Sequence, residues 1–378
     1  MSRGGLAELV IPHDLLPKDG RFGCGPSKVP GAALAALAQV APTLLGTSHR
    51  QPPVKELVAR VRSGLSELLQ LPEGYEVALA NGGSTLFWDL ATICLIRERS
   101  QHLVFGEFSS KFALAARAAP FLSDPEVIES KAGTHPEPRP NPGVDAYCLT
   151  QNETSTGVAM PIRRPSPDPG QLVLVDATSA AGGIGISPLE FDVYYLAPQK
   201  CFASEGGLWL AALSPAAISR AQELESSGRW VPATLSLTTA LENARLDQTY
   251  NTPAITTLFL LAHQVEWLLE QGGLAWAEQR CRRSADIVYS WAERRPWATP
   301  FVREQSERSP VVATIDFDTE VPAAQVSSAL RRHGVVDVDS YRKLGRNQLR
   351  IGLFPAIEPE DVERLTRTID WVVAALEG

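Results

Sequence analysis

From about residue 75 the chain alternates between short apolar runs and helix-like or loop segments. The runs fall at 75–80, 102–105, 146–150, 172–175, 193–196 and 208–213. Several are followed at once by small or polar residues: Asn81-Gly82-Gly83-Ser84-Thr85, Gly106-Glu107, Gln151-Asn152-Glu153-Thr154 and Asp176-Ala177-Thr178. Runs this apolar fit strands covered on both faces, although a buried helix segment could give a similar pattern. The alternation predicts an α/β fold with a mostly parallel sheet and a ligand site at the carboxyl ends of its strands.

After about residue 255 the texture changes. Helical periodicity covers 255–270 and 274–294, a strand pattern 311–317, a helix Ala323–Arg332 and a strand 347–353. A last helix, 359–376, is opened by the acids of Glu358-Pro359-Glu360-Asp361, which suit a helix N-terminus. This reads as a smaller α+β domain, 266–378, behind a large domain, 1–265. Proline-rich stretches at 134–143 and 161–170 read as surface loops, and no internal repeat is evident.

Composition narrows the function classes. At 378 residues, 44% hydrophobic and 21% charged, the chain has the make-up of an ordinary globular protein. A net charge of -8 disfavours nucleic acid and anionic membranes as partners, so an anionic substrate needs a local basic pocket. Residues 1–20 carry Arg3 but no apolar run with a small-residue cleavage site, so no secretory leader is expected. The greasy stretch 254–269 is interrupted by His263, Gln264 and Glu266, as in a packed helix and unlike a membrane span. Cys24, Cys94, Cys148, Cys201 and Cys281 are odd in number and scattered, which implies neither a disulfide framework nor a metal site. A reducing cytoplasm is the expected compartment.

Lys200 lies just past the run 193–196, in Ala197-Pro198-Gln199-Lys200-Cys201-Phe202. Such a lysine, if desolvated, becomes a neutral amine that can attack an aldehyde. Most lysines are surface side chains, and alone this one decides nothing. Asp176, closing the run 172–175, adds a carboxylate at a neighbouring strand end. A lysine for the aldehyde and an acid for the pyridine nitrogen are what pyridoxal 5'-phosphate demands of a protein. Asn81-Gly82-Gly83-Ser84-Thr85 opens a helix pattern and suits a phosphate, though many glycine-rich turns bind nothing. Gly183-Ile184-Gly185 lacks a third glycine, and Gly23-Cys24-Gly25-Pro26-Ser27-Lys28 lacks P-loop spacing. Two basic clusters, Ser48-His49-Arg50 and Tyr341-Arg342-Lys343-Leu344-Gly345-Arg346 leading to Arg350, are candidates for carboxylate or phosphate.

Gly46-Thr47-Ser48-His49-Arg50, Gln151-Asn152-Glu153-Thr154-Ser155-Thr156-Gly157-Val158, Ala197-Pro198-Gln199-Lys200 and Tyr250-Asn251-Thr252-Pro253 occur in that order. Together they resemble the phosphoserine aminotransferase family of class V, fold-type I enzymes, over nearly the whole chain. The run from Tyr341 to Arg350 resembles its actinobacterial branch. The resemblance implies a seven-stranded-type sheet, pyridoxal phosphate on Lys200, Asp176 on the ring nitrogen and Thr154 on its phenolic oxygen. It assigns the phosphate to Ser84, Thr85 and Gln199, with Asn251 and Thr252 reaching it from the second subunit of a homodimer with shared active sites. Phe108 falls where many relatives stack a tryptophan on the ring. Substrate acid groups fall to His49 and Arg50, from the N-terminal segment, and to Arg350. The family's partner-subunit histidine–arginine pair corresponds here to Lys343 and Leu344, so Arg342, Lys343 or Arg346 is expected to substitute. The implied reaction is ping-pong transamination between L-glutamate and a phosphorylated 2-oxo acid, 3-phosphohydroxypyruvate. The related four-carbon step toward vitamin B6 is a second expectation. An alanine– or serine–glyoxylate aminotransferase and a cofactor-binding regulator without turnover are the alternatives. A cysteine desulfurase fits less well, since no cysteine sits in a mobile-loop context.

Overall fold

The computed structural model describes residues 9–377; the leader reading rests partly on residues 1–8, which lie outside the described residues. Among the described residues twelve strands follow in chain order. They are β1 (Glu76–Asn81), β2 (Ser100–Val104), β3 (Glu126–Glu129), β4 (Ala146–Thr150), β5 (Asn152–Glu153), β6 (Val158–Ala159), β7 (Leu172–Asp176), β8 (Val193–Leu196), β9 (Leu208–Leu213), β10 (Ala298–Pro300), β11 (Val312–Phe317) and β12 (Gln348–Gly352). Seven of them form one sheet in the order β1-β9-β8-β7-β4-β2-β3. Only β9 runs against the rest.

The strand pattern has a simple physical origin. Neighbouring side chains along each strand enter opposite cores. Val173 and Val175 join one cluster with Leu57, Val61 and Leu261 of the helices Pro52–Leu68 and Ile255–Gln271. Leu172 and Leu174 join another, with Phe87, Leu90 and Leu241 of the helices Ser84–Cys94 and Leu237–Ala244. Both faces are dry, so β7 reads as an unbroken apolar run.

The sequence reading missed the strand β3, whose residues are partly exposed at the sheet edge. It also left the helices Gly31–Leu44 and Pro52–Leu68 unassigned. The second run begins two residues earlier than expected, at Ser100, because Ser100 and Gln101 pair with Ala146 and Tyr147.

A second, antiparallel sheet, β10-β11-β12, is covered by the helices Gly273–Glu293, Ala323–Arg332 and Pro359–Glu377. Ile11 and Phe22, from the other end of the chain, are buried in the same cluster. Gly352 N–H donates to Phe22 O, which brings the residues after Phe22 beside β12. No described helix is long and apolar enough to cross a membrane.

Candidate active site

The carboxyl ends of β1, β4, β7 and β8 meet at a cavity of about 720 Å³. Ser84, Thr85, Phe108, Thr154, Asp176, Gln199 and Lys200, scattered in sequence, all line it. The fold supplies them at strand ends: Asp176 closes β7, and the others lie within four residues of the end of a strand, where the chain turns into the crevice.

Among the described residues Lys200 is the one lysine on the cavity wall, and it is only 9% exposed. Its Nζ donates to Cys24 O at 2.7 Å. Burial pushes its pKa down from 10.5 to about 8; the Cys24 thiol opposes that shift and Arg350 adds to it. Cys24 belongs to the Gly-Cys-Gly-Pro-Ser-Lys segment that sequence spacing had excluded as a P-loop. Its use is different: the backbone passes directly over the amine. A Cβ on Gly25 would lie 1.8 Å from Lys200 Nζ, and Gly25 has φ +132, so only glycine serves there. No sequence signal beyond the two glycines marked this contact.

The turn before the helix Ser84–Cys94 uses Gly82 and Gly83 at φ +140 and +152, which L side chains rarely adopt. Ser84 and Thr85 open the helix, and their N–H groups have no partner within it. With the helix dipole they form a seat for an anion beside the cavity.

Asp176 is buried, and desolvation raises its pKa while hydrogen bonds from Thr178 and Trp88 oppose that rise. Trp88 Nε1 donates to Oδ2 at 3.0 Å, and Thr178 N–H and Oγ1 donate to Oδ1 at 3.0 and 2.5 Å. In the sequence Trp88 falls in the apolar helix pattern that the glycine turn opens, with nothing to mark this contact. Thr154 Oγ1 and Asn152 Nδ2 both donate to Ser179 Oγ at 2.8 Å.

Glu153, fully buried, accepts from the N–H groups of Phe108 and Ser109 at 3.1 and 2.9 Å, and from Ser155. One carboxylate thus ties the start of the helix Glu107–Ala118, with Phe108, to the loop carrying Thr154. Burial raises the pKa of Glu153, and these hydrogen bonds oppose the rise.

Arg350, in β12, approaches the site from the second sheet through Thr154 and does not itself line the cavity. Its Nη1 donates to Thr154 O at 3.2 Å, its guanidinium lies 5.2 Å from the Tyr341 ring, and its Nε is buried without a partner. His49, Arg50, Asn251 and Thr252 do not line the cavity. They gather nearby: His49 Nδ1 and Thr252 Oγ1 are 3.0 Å apart, Arg50 Nη1 donates to Gln248 Oε1, and Asn81 Nδ2 donates to Thr252 O. Lys343 pairs with Glu107, and Arg346 forms a two-pronged pair with Asp316. Arg342 is exposed.

The buried Gln199 Oε1 and Asn152 Oδ1 on the cavity wall have no partner. A buried amine, a held carboxylate, a helix-start anion seat and unspent polar atoms suit a ligand with an aldehyde, a ring nitrogen and a phosphate. Pyridoxal phosphate has all three, so the residues present fit it.

Comparison with known proteins gives a family and a fold. No family model matches the chain. A curated relative from Rhodococcus opacus, named phosphoserine aminotransferase, is 57% identical over 367 residues, covering 97% of this chain and 98% of that one. The crystal structure of a phosphoserine aminotransferase from Cytophaga hutchinsonii superposes with a TM-score of 0.86 at 24% identity, covering 93% of this chain and 99% of that one. A phosphoserine aminotransferase from Trichomonas vaginalis, described as PLP-bound, gives 0.77 at 18% identity and covers 93% and 100%. The first relationship carries the family, and the two structures carry the fold.

Proposed function

This chain belongs to the phosphoserine aminotransferase family and is an aminotransferase, and we propose that its cavity holds pyridoxal 5'-phosphate on Lys200. The reading rests most on one observation: Lys200 and Asp176, both buried, line the same cavity. When bound, the cofactor would supply an electron sink for the bond broken at the substrate carbon.

The chain's own groups do the rest. Ser84 and Thr85 would seat the phosphate on the helix start, helped by Gln199, and Thr154 would face the phenolic oxygen. Asp176 would hold a proton on the ring nitrogen, and Phe108 would cover one ring face. Lys200, displaced by the incoming amino group, would carry the proton to and from the substrate Cα. Arg350 would bind the carboxylate common to both substrates.

In this reading glutamate is the amino donor and 3-phosphohydroxypyruvate the acceptor, in a step of serine biosynthesis. The four-carbon analogue of the vitamin B6 route would fit the same groups. A homodimer would bring Asn251 and Thr252, with His49 and Arg50, to the neighbouring site. Among the described residues, Arg342 is not engaged by a carboxylate, whereas Lys343 and Arg346 are, so we assign the missing partner-side contact to Arg342. The division near residue 265 and a cytoplasmic location belong to this reading too.

The deciding experiment is a half-reaction. Enzyme aminated with glutamate is mixed with 3-phosphohydroxypyruvate, glyoxylate or pyruvate, and return of the cofactor's visible band is followed. Fast recovery with the phosphorylated acid alone is expected. Equal recovery with glyoxylate would favour a glyoxylate aminotransferase, and no recovery with any acid a regulator without turnover.

The lysine gives a pH prediction. Cofactor-free protein should capture pyridoxal phosphate at a rate that climbs with pH and levels off above about 8, as Lys200 loses its proton. Because the folded pKa lies below the ordinary 10.5, the unfolded chain holds more protons between these values. Lys200 therefore penalises folding below about 8, and stability rises as pH moves from there toward 10.5. Stopped-flow capture and thermal melts across that range check both signs. A capture rate still climbing at pH 10 would show an unperturbed lysine.

A further inference from the structure

Asp176 has a problem that its position creates. It ends β7 inside a seven-stranded sheet, paired in register with Thr150 and Tyr195, and is 5% exposed. A carboxylate so far from water stays ionised only if protein donors replace the water. It would also rotate freely about its last bond unless both oxygens were held.

The structure holds both. Oδ2 takes the indole N–H of Trp88, and Oδ1 takes the N–H and hydroxyl of Thr178. Trp88 is 4% exposed, and a buried indole N–H needs an acceptor. The other groups facing the carboxylate are the buried Tyr195 hydroxyl, which interacts with both Asp176 and Trp88 and helps to stabilise the ionised carboxylate, and the Lys200 amine. The Phe108 side chain, also on the cavity lining, offers no N–H.

The donors are also wired to the anion seat. Thr178 Oγ1 lies 2.6 Å from Ser84 Oγ. The Thr178 hydroxyl is placed to donate either to Ser84 Oγ or to Asp176 Oδ1, so it bridges the start of the helix and the carboxylate. Ser84 and Trp88 stand four residues apart on one helix, hence on one face. A single helix thus sets both the phosphate end and the ring-nitrogen end of the site.

We propose that Trp88 and Thr178 are positioning residues that aim Asp176 at the ring nitrogen of the cofactor and fix that carboxylate relative to the phosphate seat. The proposal rests on the cofactor reading above and adds two residues to it.

Trp88→Phe keeps a ring and deletes the N–H; Thr178→Val keeps the shape and deletes the hydroxyl. Holoenzymes of both are compared with the parent by equilibrium dialysis of pyridoxal phosphate and by pH titration of the bound visible band. Each variant should weaken cofactor binding roughly 10–100-fold, as expected for losing a hydrogen bond to a charged group. Each should also move the spectral titration by about one pH unit or more. A variant that only melts earlier, with affinity and titration like the parent, would show mere packing and overturn the proposal. Should Trp88→Phe not fold, Thr178→Val decides by the same two measurements. A parent that binds no cofactor would sink the underlying reading instead, and with it this one.

Discussion

Lys200→Ala is expected to abolish transamination while leaving the fold intact. The variant loses both the anchoring amine and the proton carrier. The second role alone is worth roughly 10²–10⁴-fold in rate. No other described lysine lines the cavity, so none is placed to take over. Folding should survive, because the amine's one hydrogen bond is to Cys24 O and its burial carries an electrostatic cost that the alanine does not. The check has three parts: turnover with glutamate, far-ultraviolet circular dichroism of the cofactor-free protein, and borohydride trapping followed by peptide mapping. The parent should carry the pyridoxyl tag on Lys200, and the variant should carry none. Turnover within about tenfold of the parent, or a tag on another lysine, would remove Lys200 from the centre of the mechanism.

That residue also shows what a sequence can reveal. Its place just past the strand β8 was legible, since strands 193–196 and 208–213 were placed to the residue, whereas its burial was not. The period-2 split of each strand between two cores made the large sheet easy to read. Edge strand β3 and the early helices were harder, since an exposed edge lacks the double burial that makes an apolar run.

Chemistry carried by side chains at strand ends was visible for the same reason. Asp176, Thr154 and Ser84 each end or directly follow a buried run or a glycine turn. Contacts made across the fold left no such mark. Trp88 looked like one more apolar residue, because helical spacing says which face is buried and nothing about what an indole N–H meets there. Cys24 acts through its carbonyl, and a backbone atom has no sequence signature. Arg342, Lys343 and Arg346 looked equivalent as a basic run; only tertiary structure engages two of them with Glu107 and Asp316.

Arg350→Ala should weaken both substrates. A ping-pong enzyme binds an amino acid and an oxo acid in turn, and both carry a carboxylate next to the reacting carbon. Arg350 can serve each. It is half-buried on β12, braced by Thr154 O and by the Tyr341 ring, and its buried Nε remains unspent. A guanidinium held on two sides by neutral groups keeps its forked donors for an incoming carboxylate. Losing that pairing in a desolvated pocket costs roughly 2–5 kcal/mol, which corresponds to a loss of 30-fold to several thousand-fold in kcat/KM, roughly speaking, for each substrate. Arg350→Lys should recover part of it, since an ammonium keeps the charge and loses the fork. Spectral titration of the bound cofactor should stay as in the parent, which separates this arginine from Asp176 and its supports. The Michaelis constants for glutamate and for 3-phosphohydroxypyruvate are the measurement. If neither moves, Arg350 does not hold the shared carboxylate; if only the phosphorylated acid is affected, the arginine belongs to the phosphate and the carboxylate seat must be sought at His49 and Arg50.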